Sequence, residues 1–256
     1  MKVAELQINY INLPHRKDRD EKMRAELQRA GLMAERVRGL LPHEVDAHPF
    51  DIEVMQKRTP GAIGCHFSHV SCMKSAMYAC KDVMILEDDL IFCSDIQDRL
   101  KHIENFCNTH EWDVIWLGAT FHKQPTWHRS RNGKHLHPDL HQCTCDLNKD
   151  WESTDDERIV RTYGAWSTYA YIVNHKSIPK ILSLFDEHLH ESMGIDWLFI
   201  RLAPQLKTFS FIPGCVKQYD NQSDIGNGIT KFSVFEFTCG KYCWADTMQE
   251  FNPNQL

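Results

Sequence analysis

The feature of the sequence that most constrains the fold is a short apolar run that leads directly into three acids. Residues 83–86 (VMIL) precede 87–89 (EDD), and a second apolar run, 90–92 (LIF), follows. A run that is apolar at every position and partly β-branched is typical of a strand buried on both faces of a sheet. Open α/β sheets bind their ligands at the carboxyl ends of such strands, so the acids stand where a ligand is expected.

Three adjacent carboxylates are unfavourable unless a positive group lies beside them. At an effective dielectric constant near 20, two like charges about 4 Å apart repel each other by roughly 4 kcal/mol. A divalent cation reverses this, and carboxylate oxygens are the ligands that Mg²⁺ and Mn²⁺ prefer. The alternative is a solvated acidic turn. The position of the acids at the end of a buried strand favours the metal site.

The composition is that of a globular protein, with 42% apolar and 25% charged residues among 256. A net charge of −6 does not indicate a nucleic-acid-binding protein. We find no apolar run of about 18 residues that could span a membrane, and the N-terminus turns polar too early for a signal peptide. The ten cysteines are therefore expected to be free thiols in a cytoplasmic protein.

Alternating strand and helix patterns predict an α/β fold with a mostly parallel sheet. The first strand is predicted over 4–12 and the first helix over 19–30, with Asp18 as its N-cap and Gly31 as its stop. The other predicted elements are strands near 34–39, 83–86, 113–118, 159–163, 168–173 and 207–212, and helices over about 61–80, 95–107 (capped by Ser94) and 175–187 (capped by Asn174), with a short one opened by Asp196.

The polar segment 119–157 shows no clear periodicity and is rich in histidine. A structural zinc site and a mobile loop that faces an acceptor are both possible, but the His and Cys spacing fits no common zinc finger. Trp127, Trp151 and Trp166 could stack on sugars or pack in the core. The candidate zinc ligands are His122, His128, His135, His137, His141, Cys143 and Cys145.

Five motifs together resemble glycosyltransferase family 25, which includes lipooligosaccharide galactosyltransferases of bacteria and collagen hydroxylysine galactosyltransferases. The resemblance covers most of residues 6–228 and is weakest in 40–58 and 119–157. The motifs, which follow the order and spacing of the family, are INLPHRKDR (11–19), GAIGCHFSH (61–69), MILEDDLIF (84–92), YGAWSTYAYIV (163–173) and QSDIG (222–226).

The resemblance implies a single GT-A catalytic domain over 1–256 with a mixed central sheet. A Rossmann-like, nucleotide-sugar-binding half (about 1–118) would merge with an acceptor-binding half (about 119–256). The resemblance also implies a Mn²⁺-dependent (or Mg²⁺-dependent) enzyme that moves a hexose, typically galactose from UDP-galactose, to a glycan or other hydroxyl acceptor with inversion. The alternatives are another donor, such as UDP-glucose, and a catalytically idle module that binds nucleotides or assembles with partners.

The acidic motif of the family maps onto Glu87-x-Asp89. Asp89 is expected to bind the metal directly, and Glu87 to face the ribose or reach the metal, directly or through a bound water. Asp88 could be a ligand or a cap for the backbone that follows. A divalent ion at this place would neutralise the diphosphate leaving group as a Lewis acid.

Polar residues after the first strand and on the helix over 61–80 complete the expected nucleotide site. Arg16 and Arg19 carry planar guanidinium groups that suit diphosphate or uracil oxygens. Asn12 could donate a hydrogen bond to the base or the ribose. Ser68 and His69 match an SH pair of the family and are expected either to contact the nucleotide or to support the acidic strand.

An inverting transfer needs a general base near the acceptor hydroxyl. The resemblance assigns Asp196 to this role, against the alternative that it is only a helix N-cap. Glu191 is the reserve candidate for the base, and Asp224 could hold the donor sugar or the metal.

The expected acceptor is a lipid-linked or other cytosolic glycan. No signal for secretion or for retention in the endoplasmic reticulum is found, which disfavours a collagen-modifying enzyme and favours a bacterial or viral one. Contact with a membrane is expected only through a lipid-linked acceptor.

Overall fold

A central eight-stranded mixed sheet organises the part of the chain that the computed structural model describes. The described residues are 1–45, 60–121, 151–162, 165–188, 194–211, 214–219, 221–222 and 229–230.

The predicted helices and strands are present in the predicted order, and five strands that were not predicted are added to them. The helices are α1 (Lys17–Ala30), α2 (Pro60–Ala79), α3 (Ile96–Thr109), α4 (Ile178–His188) and α5 (Ile195–Leu202), with 3₁₀ turns at Val3–Glu5, Pro42–Glu44, His175–Ser177 and Ala203–Gln205. The strands are β1 (Gln7–Asn12), β2 (Glu35–Arg38), β3 (Val83–Leu86), β4 (Leu90–Phe92), β5 (Val114–Phe121), β6 (Trp151–Ser153), β7 (Ile159–Thr162), β8 (Ala165–Val173), β9 (Thr208–Phe211), β10 (Val216–Gln218), β11 (Asn221–Gln222) and β12 (Ile229–Thr230). The five strands that were not predicted are β4, β6, β10, β11 and β12.

The strand order of the main sheet is β2-β1-β3-β8-β5-β9-β7-β6. The first three strands are parallel, whereas β8 runs antiparallel to both of its neighbours, β3 and β5. This is the mixed-sheet α/β architecture, with a Rossmann-like beginning, that the family resemblance implies. The prediction of a mostly parallel sheet is wrong, because three of the seven described strand pairings in the main sheet are parallel. Strands β2 and β3 both follow β1 along the chain but lie on opposite sides of it in the sheet. Such a reversal of strand order leaves a crevice beyond the carboxyl ends of the strands, here β1 and β3.

Strand β3 lies between β1 and β8 and is buried along its whole length, as predicted. Its side chains alternate between two apolar clusters: Met84 and Leu86 pack with α1 and α3, whereas Val83 and Ile85 pack with α2, α4 and α5. Because both faces of the strand are covered, the chain can meet the crevice only at the strand's end, where the acids begin.

The helix boundaries confirm some of the predicted caps and correct others. Gly31 ends α1 in the left-handed conformation (φ 66°), and the side chain of Asn174 accepts a hydrogen bond from the Lys176 N–H, as predicted. The prediction that Asp18 is an N-cap is wrong, because Arg16 occupies that position and Asp18 lies in the first turn. Ser94 is likewise not a cap: α3 begins after Asp95, whose side chain makes no capping bond.

A two-stranded pairing beside the main sheet was not predicted. Strand β4, directly after the acids, pairs antiparallel with β10. The Cys93 N–H extends the pairing by donating to the carbonyl oxygen of Cys215 (2.9 Å). This pairing carries residues 218–219 of the chain back to the acidic motif. Among the described helices, none has both the length and the apolar content that a membrane crossing requires.

The packing of α2 against the segment after β2 yields a stability prediction. A Cβ at Gly64 would lie 2.2 Å from the carbonyl oxygen of Leu40, too close for any side chain. We therefore expect Gly64→Ala to lower the free energy of unfolding in urea by about 1–3 kcal/mol. Alanine normally stabilises a helix relative to glycine. The control is Ser71→Ala on the exposed side of the same helix, and an unchanged urea midpoint for Gly64→Ala would contradict the packing.

Candidate active site

The acids 87–89 form a short loop that is held from both sides by backbone hydrogen bonds. The Glu87 N–H donates to the carbonyl oxygen of Tyr169 on β8 (2.8 Å), and the Tyr219 N–H donates to that of Asp89 (3.0 Å). The loop therefore has a fixed course at the carboxyl end of β3, beside the end of β1.

Glu87 and Asp89 turn to a common partner. The amide nitrogen of Gln218 lies 3.1 Å from Oε2 of Glu87 and 3.1 Å from Oδ1 of Asp89. The first and third carboxylates thus converge on the Gln218 amide, and their expected metal role stays a prediction. Sequence analysis did not identify Gln218, because only the β4–β10 pairing brings it here, and local sequence carries no signal for that contact.

Asp88 takes a different role from its two neighbours. Its Oδ2 accepts a hydrogen bond from the Asn12 side chain (2.6 Å), and its Oδ1 accepts one from the Arg19 guanidinium (2.8 Å). Burial raises the pKa of Asp88, and the charge of Arg19 opposes that shift. Asp88 therefore links the end of β3 to β1 and α1. These contacts correspond to neither of its two predicted roles, metal ligand or cap for the backbone that follows.

Arg19 lies inside the acidic cluster, and its expected contact with the nucleotide stays a prediction. It is buried in the first turns of α1, and its guanidinium is also 3.5 Å from Oδ2 of Asp89. Its positive charge is shared by two of the three acids. Arg16 instead pairs with Asp18 (2.9 Å) and lowers the pKa of that carboxyl to about 2.

Asn12 is buried at the end of β1, and its side chain connects three groups of the protein. Its two N–H groups donate to Asp88 and to the carbonyl oxygen of Arg16 (3.0 Å), and its oxygen accepts from Arg36 (3.0 Å). A hydrogen bond to a nucleotide would have to replace one of these partners.

The two α2 residues of the predicted SH pair differ in their contacts. Ser68 accepts a hydrogen bond from the Leu40 N–H (2.9 Å) and donates to the carbonyl oxygen of Gly64 (2.6 Å), so its hydroxyl holds α2 against the segment after β2. His69 lies under the acidic loop, with Nδ1 at 2.8 Å from the hydroxyl of Tyr171 and Nε2 at 3.7 Å from Oε1 of Glu87. Burial lowers the pKa of His69 to about 3, so the ring is neutral at ordinary pH.

Glu87 is the carboxylate whose ionisation the site disfavours most clearly. Burial and the charge of Asp88 raise its pKa to about 7, while Arg19 acts in the opposite direction. The charge of Asp196 also raises it, so this residue of α5 acts on the acidic loop across the fold. Asp196 lies in the first turn of α5, where Oδ1 accepts from the Trp197 N–H (2.8 Å); the N-cap of that helix is Gly194.

One cysteine of the site was missed by the sequence analysis. Cys65 lies four residues before His69 on α2, and one ligand atom each of Cys65, His69 and Glu87 lie within 4.8 Å of one another. The Cys-x-x-x-His spacing on a predicted helix was the available signal, because residues four apart share a helix face.

Other predicted residues lie outside the described part of the chain. These are Glu191, Asp224 and the His- and Cys-rich run 122–150. Their roles as reserve base, donor or metal contact, and zinc or acceptor segment stay predictions.

Solved structures similar to this chain share little sequence with it. The apo form of mouse xyloside xylosyltransferase 1 is 9% identical, with a TM-score of 0.40 over 78% of this chain and 82% of that one. Apo GlyE of Streptococcus pneumoniae TIGR4 is 12% identical, with a TM-score of 0.36 over 80% of this chain and 44% of that one, so this chain spans less than half of GlyE. An apo UDP-glucose pyrophosphorylase is 7% identical, with a TM-score of 0.38 over 83% and 74%.

The family assignment rests on sequence instead. No curated protein matches the chain. The family model described as glycosyltransferase family 25 (LPS biosynthesis protein) matches residues 6–198. This range runs from β1 into α5 and includes Asn12, Arg19, the acidic loop and Asp196. The chain belongs to glycosyltransferase family 25.

Proposed function

We propose that this glycosyltransferase transfers galactose from UDP-galactose to a hydroxyl of a glycan acceptor, with Mn²⁺ and with inversion at the anomeric carbon. The observation that carries the proposal is the convergence of Glu87 and Asp89 on one side of a loop at the carboxyl end of β3. Galactose and inversion are supported by the resemblance to the galactosyltransferases of the family. A lipid-linked glycan as acceptor agrees with the family's description as LPS biosynthesis proteins.

The residues present fit a hard divalent cation. Carboxylate oxygens of Glu87 and Asp89 would hold it. Burial, and after it the charge of Asp88, raises the pKa of Glu87, and a cation beside this carboxylate would favour its ionised form. When bound, the ion would act as a Lewis acid on the diphosphate of the donor.

Arg19 supplies fixed positive charge at the same place. Asp88 accepts a hydrogen bond from its guanidinium, which orients the planar group. We assign Arg19 to steadying the diphosphate as negative charge develops on it, because its position at the β1 end of the crevice matches that of a nucleotide in Rossmann-like folds.

Asp196 is the proposed general base. In a single displacement, the acceptor oxygen forms its bond to the anomeric carbon while the bond from that carbon to the UDP oxygen breaks, and the electron pair leaves with UDP. The proton of the acceptor hydroxyl passes to the Asp196 carboxylate. The effect of the Asp196 charge on Glu87 and His69 supports a place for it close to the acidic loop.

The metal role of Asp89 is tested by Asp89→Ala. We expect loss of Mn²⁺-dependent UDP binding, and a fall in UDP release from UDP-galactose of about a hundredfold or more, since a metal contributes several kcal/mol to the transition state. Calorimetry with UDP and a UDP-release assay measure the two effects. Asp98→Ala, on the exposed side of α3, is the control. Intact turnover in Asp89→Ala would show that the metal assignment is wrong.

The base role of Asp196 is tested by Asp196→Asn. We expect kcat to fall by roughly 10²–10⁴-fold, the usual contribution of a general base, while Mn²⁺-dependent UDP binding is retained. The rate of sugar transfer to an acceptor measures this effect. The same assay tests the donor, because kcat/KM for UDP-galactose should exceed that for UDP-glucose. An unchanged kcat would show that Asp196 is not the general base, and Glu191 would then be the candidate for that role.

The raised pKa of Glu87 predicts a pH dependence of stability in the metal-free protein. Between pH 4.5 and about 7 the folded protein keeps a proton on Glu87 that the unfolded chain has released, so the contribution of Glu87 to the free energy of unfolding falls as pH rises. Glu87→Gln cannot ionise, so its stability relative to the native protein should increase from pH 5 to 8, by no more than about 3 kcal/mol. Urea unfolding in chelator measures the difference, with exposed Glu21→Gln as control. A difference that does not change with pH would refute the shift.

A further inference from the structure

Cys65, His69 and Glu87 form a compact group where α2 meets the end of β3. One ligand atom of each lies within 4.8 Å of the others. Cys65 and His69 are one helical turn apart, so both side chains emerge on the same face of α2, and Glu87 is the first residue after β3. A thiol, an imidazole and a carboxylate brought this close are a familiar ligand set for borderline-soft metals.

The imidazole of His69 is oriented toward the group. Its Nδ1 is held by the hydroxyl of Tyr171, 2.8 Å away, while Nε2 is buried, has no hydrogen-bond partner and lies 3.7 Å from Oε1 of Glu87. A buried nitrogen left without a partner costs free energy. When Nδ1 donates to Tyr171, the Nε2 lone pair points at Glu87, and a hydrogen bond from the other ring nitrogen is the usual support of a metal-binding histidine.

We propose that Cys65, His69 and Glu87 bind Zn²⁺, in a site that shares Glu87 with the hard-cation site assigned to Glu87 and Asp89. Sulfur and nitrogen ligands favour Zn²⁺ over Mn²⁺ and Mg²⁺, which prefer oxygen. Binding converts the Cys65 thiol into a metal-bound thiolate and releases its proton to solvent. Three protein ligands leave a fourth tetrahedral position for water.

The site has a regulatory consequence that rests on the proposed function. Glu87 belongs to both ligand sets, so Zn²⁺ held by Cys65 and His69 draws this carboxylate away from Asp89. Zinc therefore inhibits Mn²⁺-dependent transfer by withdrawing a ligand, without occupying the donor site itself.

The metal site is tested with Co²⁺, which replaces Zn²⁺ and shows a thiolate charge-transfer band in the near ultraviolet. Titration of the chelator-stripped chain should produce this band, and Cys65→Ser should lose it. Cys80→Ser, a change of the exposed thiol just after the same helix, should keep it. Asp89→Asn should also keep it, because Asp89 is not a ligand of this site. A band that persists in Cys65→Ser, or no band in the native chain, overturns the proposal.

The regulatory consequence has its own readout. Zn²⁺ added at fixed Mn²⁺ should inhibit UDP release by the native chain, and the fractional inhibition should be much smaller in Cys65→Ser, with each protein compared with its own rate in Mn²⁺ alone. Equal inhibition of both proteins overturns the shared-ligand mechanism. If the chain shows no Mn²⁺-dependent transfer, the proposed function fails, whereas the Co²⁺ band still decides the metal site.

Discussion

The buried contact between Arg19 and Asp88 is the interaction on which the candidate site depends. It joins α1 to the end of β3, and Asn12 adds the end of β1 to the same carboxylate. A buried ion pair costs desolvation, and it is tolerable only when its hydrogen bonds are well satisfied. Here both oxygens of Asp88 have donors. The pair adds specificity as well as charge balance, because it locks the register between the first strand, the first helix and the acidic loop.

The loop, which bends at Asp88 and Asp89, divides its three acids between two sets of partners. Asp88 points to the scaffold of Asn12 and Arg19, while Glu87 and Asp89 turn to Gln218. The scaffold contact lets the other two carboxylates stay close together in a partly buried place. Ionisation of Glu87 is disfavoured in this place, because burial and the charges of Asp88 and Asp196 raise its pKa. Perturbed titration of this kind is common where a protein binds charge.

The site also contains softer potential metal ligands, the neutral imidazole of His69 and the thiol of Cys65. An oxygen pair suited to hard cations lies on one side of Glu87, and a nitrogen and a sulfur lie on the other. The carboxylate of Glu87 is thus common to the two proposed metal sites, whose other ligands differ in softness. This arrangement follows from packing α2 under β3, since the helix face that covers the strand also carries Cys65 and His69.

The sequence by itself determined the elements whose signals are local. The apolar run before the acids predicted β3 to the residue and placed the acids at its carboxyl end, and Gly31 predicted the end of α1. Tertiary structure decided what depends on distant pairing: Gln218 reaches the acids only through β4 and β10, and His69 meets Glu87 only because α2 packs on β3. Helix beginnings such as those near Asp18 and Ser94 were also misplaced, because several polar residues in a row can cap equally well and the packing of the helix selects one. Periodicity and turn formation depend on neighbouring residues, so the sequence alone shows them. A contact between side chains more than a hundred residues apart depends on how all the elements pack together.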